Sequence, residues 1–541
     1  MVKVNLVVKQ AAIPVYTALC FEINPMDHPQ QHPTPLSWID TLFAGLIGCV
    51  ALALYVHTLA PSLLWGDSAE FQTLSYTLGM THPSGYMTQI MLGKLFTYLP
   101  VGNVAYRVNL MSAFFGALAV ADTYMIVCLL GGWRIPALSA SLLLTLTEGF
   151  WWRALVAETY APAAGMLATI WLLVLLWRHT GKWGYLFLAG VAGGLSLGIH
   201  STVVMTALSV FVLMALTARR REDWLAAATG AVLGAVITFG FFLYLDANDP
   251  PSSIYNTVYR TNLSAFGLTA DEFDTPLERF FAIFPANHFW SYYFTATSAE
   301  IGRRLVEYLS FFPFWAILLV GIGAWVLLRE RPAEGLYPLL AFLLIWGLAI
   351  TVSFSIYREF YVPVAVITSV WFGIGASKLI TRLGRLPIQN QPLLTIGQSV
   401  FMILLIALPI WHARGDLIPA LRSGYPQFVR RDHIYPVFAP DKAINDARKI
   451  IRRVEKNAIV FAPWDKLYSY VYTAQIEDGV TEISFHEAWS TDEEKLADSA
   501  IAYIEQNLDT RPIYFTIEMY GLSDRYRVEK IDDTLYRIYR K

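Results

Sequence analysis

The chain has 541 residues, 55% of them hydrophobic and only 15% charged, and its mean hydropathy is +0.45. Soluble domains carry nearer a quarter charged residues, so the composition argues for a membrane protein. A formal net charge of −2 argues against a nucleic-acid partner.

In chain order, residues 1–38 form an N-terminal segment. Residues 1–25 differ from the rest, and Met26 opens a polar, Pro-rich "MDHPQQHPTP", which makes it a candidate translation start. "YTALC" (Tyr16–Cys20) is a weak lipidation pattern, because Leu19 is larger than the residue usual before such a cysteine. Cys20, Cys49 and Cys128 sit in apolar surroundings without metal-ligand spacing. Residues 39–414 read as a transmembrane domain. Apolar runs near 39–60, 108–130, 135–150, 161–177, 184–199, 201–217, 225–245, 309–328, 336–355, 360–377 and 394–413 give about eleven spans, of which the third, fifth and sixth are short.

Basic residues set the orientation. Connections after even-numbered spans hold Arg134, then Arg178 and Lys182, Arg219–Arg221, Arg329 and Arg331, and Lys378, Arg382 and Arg385. Those connections are expected in the cytoplasm, so the odd ones face outward. Residues 83–99 are apolar but interrupted, as in a helix lying in the interface plane. The 246–308 segment reads as a loop on the membrane surface. Beyond residue 414 the long apolar runs stop. Strand patterns at 457–463, 481–485 and 512–518 alternate with helical ones, and 526–540 reads as a closing hairpin. Residues 415–541 are therefore expected to form a small extracytoplasmic α/β domain with a partly parallel sheet.

Ionisable groups at span edges cost free energy unless paired or useful. Several fall on the outward side: Asp67 and Glu70 in "LLWGDSAEFQ", Arg153, Glu158 in "AETYA", His200 in "GLSLGIHST", and Arg358 and Glu359 in "YREFY". His82 and Arg107 bracket the interfacial helix. Each has a structural alternative. Asp67 suits an N-cap, Glu70 a helix dipole, His200 a backbone bond, and lone arginines snorkel to headgroups. Convergence on one side favours chemistry. Arginines hold an anionic leaving group such as a lipid-linked sugar phosphate, and a carboxylate takes the proton of an attacking hydroxyl. Asp67, Glu158 and His200 also suit a divalent metal ion, Mg or Mn, and the sequence does not fix whether one is needed.

The stretch Leu59–Ala119 resembles a family of polytopic membrane proteins that includes the animal transmembrane protein 260 type of protein O-mannosyltransferase. That family belongs to the C-type superfamily of glycosyltransferases. "WGDSAE" is similar to the family's W-G-D-S-G-E with Ala69 for glycine, and "THPSGY" to its H-P-P-G-Y with Ser84 for proline. "YRVNLMSAFFGALA", "AETYA", "GLSLGIHST" and "FYVPV" match further motifs. The resemblance is good over residues 40–210, thinner over 211–410 and slight beyond. It implies an inverting hexosyltransferase that moves a sugar from a polyprenyl-phosphate donor to a protein, glycan or lipid acceptor. In it Asp67 is the catalytic base and Glu158 the second acid. Glu70, His82, Tyr86, Arg107, Arg153, Tyr160, His200 and Arg358 are expected to bind substrate. The expected location is a bacterial-type plasma membrane, in contact with its lipids, with the active site outside the cytoplasm. A transporter or flippase of lipid-linked sugars and a non-catalytic scaffold are the alternatives. A transporter would show paired broken spans or a repeat, and the sequence has neither.

Overall fold

The computed structural model describes residues 36–284, 291–353, 355–385, 391–489, 495–519 and 521–541. The readings on Met26 and Cys20 lie outside them. The described chain is mostly helical. Seven helices are long and apolar enough to cross a membrane, and an eighth candidate is the bent pair Ser298–Ser310 and Phe314–Glu330, angled at 99°. Three shorter apolar segments, Arg134–Leu146, Trp183–Ser196 and Ser201–Thr217, fall where the sequence predicts its short spans. Each expected span thus meets a helix, but only seven or eight of the eleven reach full crossing length. The chain is a multi-pass membrane protein.

The first eleven helices are α1 (Trp38–His57), α2 (Gly66–Thr77), α3 (Met87–Thr97), α4 (Val104–Leu129), α5 (Arg134–Leu146), α6 (Glu148–Arg153), α7 (Tyr160–Thr180), α8 (Trp183–Ser196), α9 (Ser201–Val204), α10 (Thr206–Thr217) and α11 (Arg221–Asn248). Ser37 caps α1 in a reciprocal box with Asp40, which also pairs with Arg134 at 2.7 Å. The predicted basic connections meet at this end of the bundle. Arg178 pairs with Glu334, Lys378 with Glu330, Arg220 reaches the Gly181 carbonyl, and the Trp133 N–H donates to Ser377. Asp67 follows the opposite end of α1.

Helices α8 and α11 pack backbone to backbone. Gly190 and Gly194 face Gly230 and Gly234, where an added Cβ would fall 2.1–2.4 Å from a main-chain atom of the other helix. Four-residue glycine spacing on both partners permits that approach where lipid gives no hydrophobic drive.

The C-terminal region holds one five-stranded sheet, ordered β2-β1-β3-β5-β4. Its strands are β1 (Ile459–Ala462), β2 (Ser484–Glu487), β3 (Ile513–Phe515), β4 (Tyr526–Asp532) and β5 (Leu535–Arg540). β1 runs parallel to β2 and β3, and β5 pairs antiparallel with β3 and β4, as the strand–helix alternation and hairpin predict. Side chains alternate across β1. Ile459 and Phe461 pack with Ile504, Ile513 and Phe515 on one face. Ala458, Val460 and Ala462 join a core on the other that continues into Phe71 and Leu74 of α2, Met87 and Ile90 of α3, and Tyr255, Val258 and Tyr259.

That second core bears on two expectations. The 83–99 segment is helical only from Met87, with Met87, Thr88, Gln89 and Ile90 buried against protein while Leu95 and Tyr98 are exposed. The 246–308 segment is no surface loop at its start, because Ile254, Tyr255, Val258 and Tyr259 are buried beneath the sheet domain.

Candidate active site

The turn between α1 and α2 places Asp67. Gly66 has φ +58°, a conformation that favours glycine, and it lets the chain enter α2 at once. Asp67 is therefore the second residue of α2 and not its N-cap, which is Trp65. Its carboxylate lies in the first turn, where free N–H groups and the helix dipole favour an anion. Trp464, at the start of the helix Trp464–Tyr472, donates its Nε1–H to Asp67 Oδ1 at 2.8 Å.

One turn on, Glu70 is fully buried. It accepts the His82 backbone N–H at 2.7 Å and the His82 Nδ1–H at 2.5 Å. Burial opposes charge on His82, but the Glu70 carboxylate outweighs it and holds the imidazole at about 9. Burial also pushes the Glu70 carboxyl up. His82 packs against Tyr86 (5.0 Å between rings) and edge-on to Trp464 (5.5 Å).

Glu158 closes the cluster from the α6–α7 connection. Ser68 donates to its Oε1 at 3.2 Å, and its carbonyl accepts from Gln89 at 3.2 Å. Burial, with the negative charge of Asp67 second, pushes its carboxyl up to about 8. Tyr160 and Tyr86 bring His200 into the group, with rings 5.0 and 6.4 Å away. His200 Nδ1 accepts from the Thr202 N–H and faces its hydroxyl, so the ring caps α9. Burial and the nearby His82 push this imidazole down to about 4.

Arg153 pairs with Glu359 and lies over the Tyr160 ring at 5.8 Å. Both partners line a cavity of about 960 Å³. Its other arginines, Arg303, Arg304, Arg358 and Arg431, stand among acidic residues, with Arg358 paired to Glu307 and Arg431 to Glu148.

Eight of the ten predicted residues thus gather around Asp67: Asp67, Glu70, His82, Tyr86, Arg153, Glu158, Tyr160 and His200. Arg358 sits across the cavity on Glu307. Arg107 does not reach the site. Its three guanidinium nitrogens donate to the carbonyls of Val101, Thr97 and Gly102, which ties down the α3–α4 turn. The sequence reading missed Trp464. The available signal was its place at the carboxyl end of a parallel strand, where α/β sheets bind ligands. Among the described residues, no three His, Cys, Asp or Glu side chains stand together as a metal site.

Residues 67–224 match the model of the "Protein O-mannosyl-transferase TMEM260 N-terminal domain". The protein O-mannosyl-transferase TMEM260 of Mus musculus is 36% identical over 127 residues, which span 23% of this chain and only 18% of the mouse protein. Among solved structures, ArnT from Cupriavidus metallidurans bound to undecaprenyl phosphate aligns over 92% of this chain and 98% of its own. Its TM-score is 0.53 at 13% identity. The Archaeoglobus fulgidus oligosaccharyltransferase, in complex with zinc and sulfate, aligns over 92% of this chain and 73% of its own. Its TM-score is 0.55 at 12% identity. Residues 67–224 therefore match the N-terminal domain of the TMEM260 protein O-mannosyl-transferases, within a chain that has the GT-C fold.

Proposed function

We propose that the chain is an integral-membrane glycosyltransferase that moves a sugar from a polyprenyl-phosphate donor to an acceptor hydroxyl, with Asp67 as general base. The observation that carries this reading is the gathering of Glu70, His82, Glu158 and His200 about the partly exposed Asp67 carboxylate at a helix N-terminus, with Arg153 of the same cluster lining a cavity. Asp67 takes the acceptor proton as the oxygen attacks the anomeric carbon. The sugar–phosphate bond breaks, and the lipid phosphate leaves with the bonding electrons. A phosphate leaves as an anion, so no protein acid is needed on that side. Arg153 and its cavity neighbours hold it by charge-assisted bonds. Two matches support this choice of donor and reaction: an O-mannosyl-transferase family over the site residues, and a like-folded enzyme that binds undecaprenyl phosphate. The gathering of basic connections at the far end of the bundle supports an extracytoplasmic site and sheet domain.

The test is release of polyprenyl phosphate from lipid-linked sugars by purified protein. Asp67→Asn is expected to lower turnover by roughly 10²–10⁴-fold, the contribution of a general base. Full activity in that variant refutes the assignment. Lipid binding without turnover by the wild type favours a transporter, and a chelator added to the assay measures metal need directly.

A further inference from the structure

The described residues give the Asp67 carboxylate one hydrogen-bond donor, and it comes from the far end of the chain. Trp464 Nε1–H takes Oδ1 and leaves Oδ2 unbonded. The indole is itself held in place. Pro463 precedes it in extended backbone, φ −69° and ψ 154°, so the ring stands at the first turn of the helix Trp464–Tyr472. Its neighbours are Tyr468 at 5.6 Å (79°) and His82 at 5.5 Å (84°), both edge to face. Tyr468 is fixed in turn. Its hydroxyl meets Thr257 Oγ1 at 3.1 Å, and its carbonyl accepts from Thr73 of α2 at 3.4 Å. The helix bearing the donor and the helix bearing the acid are thus locked by one buried core.

We infer that Trp464 is a positioning residue for Asp67, occupying one carboxylate oxygen so that the other takes the acceptor proton. This rests on the reading of Asp67 as the base. It makes the sheet domain part of the catalytic machinery and not only a cover over it. A donor to one carboxylate oxygen fixes the rotamer and so directs the other oxygen toward the acceptor.

The experiment uses full-length protein in detergent, with undecaprenyl-phosphate mannose as donor and a serine- and threonine-containing peptide as acceptor. Trp464→Phe keeps a ring against His82 and lacks the N–H. It is expected to lower kcat about tenfold, as for a lost bond to a charged group, with the donor KM within about twofold. Trp464→Ala is expected to lose little more, because the N–H and not the packing is at stake. Replacing Trp464 with benzothienylalanine, the same two-ring shape with sulfur for N–H, repeats the measurement without a change of volume. Wild-type kcat in the Phe and benzothienyl forms, with Asp67→Asn inactive, overturns the inference and leaves the base in place. A loss in Trp464→Ala far beyond that in the Phe and benzothienyl forms also overturns it, as a packing effect. Full activity in Asp67→Asn overturns both readings together.

Discussion

Replacing Glu70 by Gln removes the anion that holds His82. The imidazole stands at about 9 in the fold against about 6.5 for a free histidine, and one pH unit is about 1.4 kcal/mol. The pair therefore stabilises the protein by about 3 kcal/mol below pH 6.5, where both folded and unfolded histidine are charged. That falls to about 2 kcal/mol near pH 7.5 and to well below about 1 kcal/mol at pH 9, as the folded imidazole loses its proton. Burial pushes the Glu70 carboxyl up and works against the pair, so about 3 kcal/mol is a ceiling. His82 is only 17% exposed and Glu70 not at all, so solvent screens the pair weakly. The assay is the thermal unfolding midpoint in detergent from pH 6 to pH 9, for wild type and Glu70→Gln at one scan rate. The wild type is expected to lose stability as pH rises through this window. The variant is expected to start lower and to follow a flatter line, so that the two converge toward pH 9. Parallel curves, or a variant as stable as wild type at pH 6.5, would refute the reasoning.

With its carboxyl pushed up to about 8, Glu158 is protonated at pH 7. Glu158→Gln copies that neutral form, so turnover at pH 7 is expected to stay within about tenfold of wild type, against the far larger loss for Asp67→Asn. A loss as deep as that of Asp67→Asn would mean that Glu158 works ionised. Arg107→Ala frees the carbonyls of Thr97, Val101 and Gly102, and is expected to cost on the order of 1–3 kcal/mol of stability. The donor KM is expected to remain unchanged in that variant, and a raised KM would return Arg107 to the substrate-binding group.

Much of this was legible in the sequence, and the exceptions have physical causes. Span positions follow from run length, as in α11, where an unbroken apolar stretch admits no other membrane structure. Strand β1 shows as a short unbroken apolar run, Ala458–Ala462, between Asn457 and Pro463. The burial of α3 was not legible, because Ile90 and Met91 read alike whether they face lipid or protein. Asp67 looked like an N-cap because the pattern could not show that Gly66 turns the chain one residue early. Arg107 had the composition of a phosphate ligand, and only the fold reveals three carbonyls within its reach. Trp464 lies 397 residues from its partner in sequence, so no local pattern links the two.

The same separation bears on how the protein is made. Synthesis runs from the amino end, so every membrane-spanning helix and every carboxylate of the site is complete before Trp464 emerges from the ribosome. The surface of α2 and α3 that receives the sheet domain stays uncovered until then. A chain cut short by a premature stop, or nicked by a protease ahead of residue 464, would insert and carry Asp67 without its donor. The contact between Trp464 and Asp67 thus becomes a property of the finished chain alone.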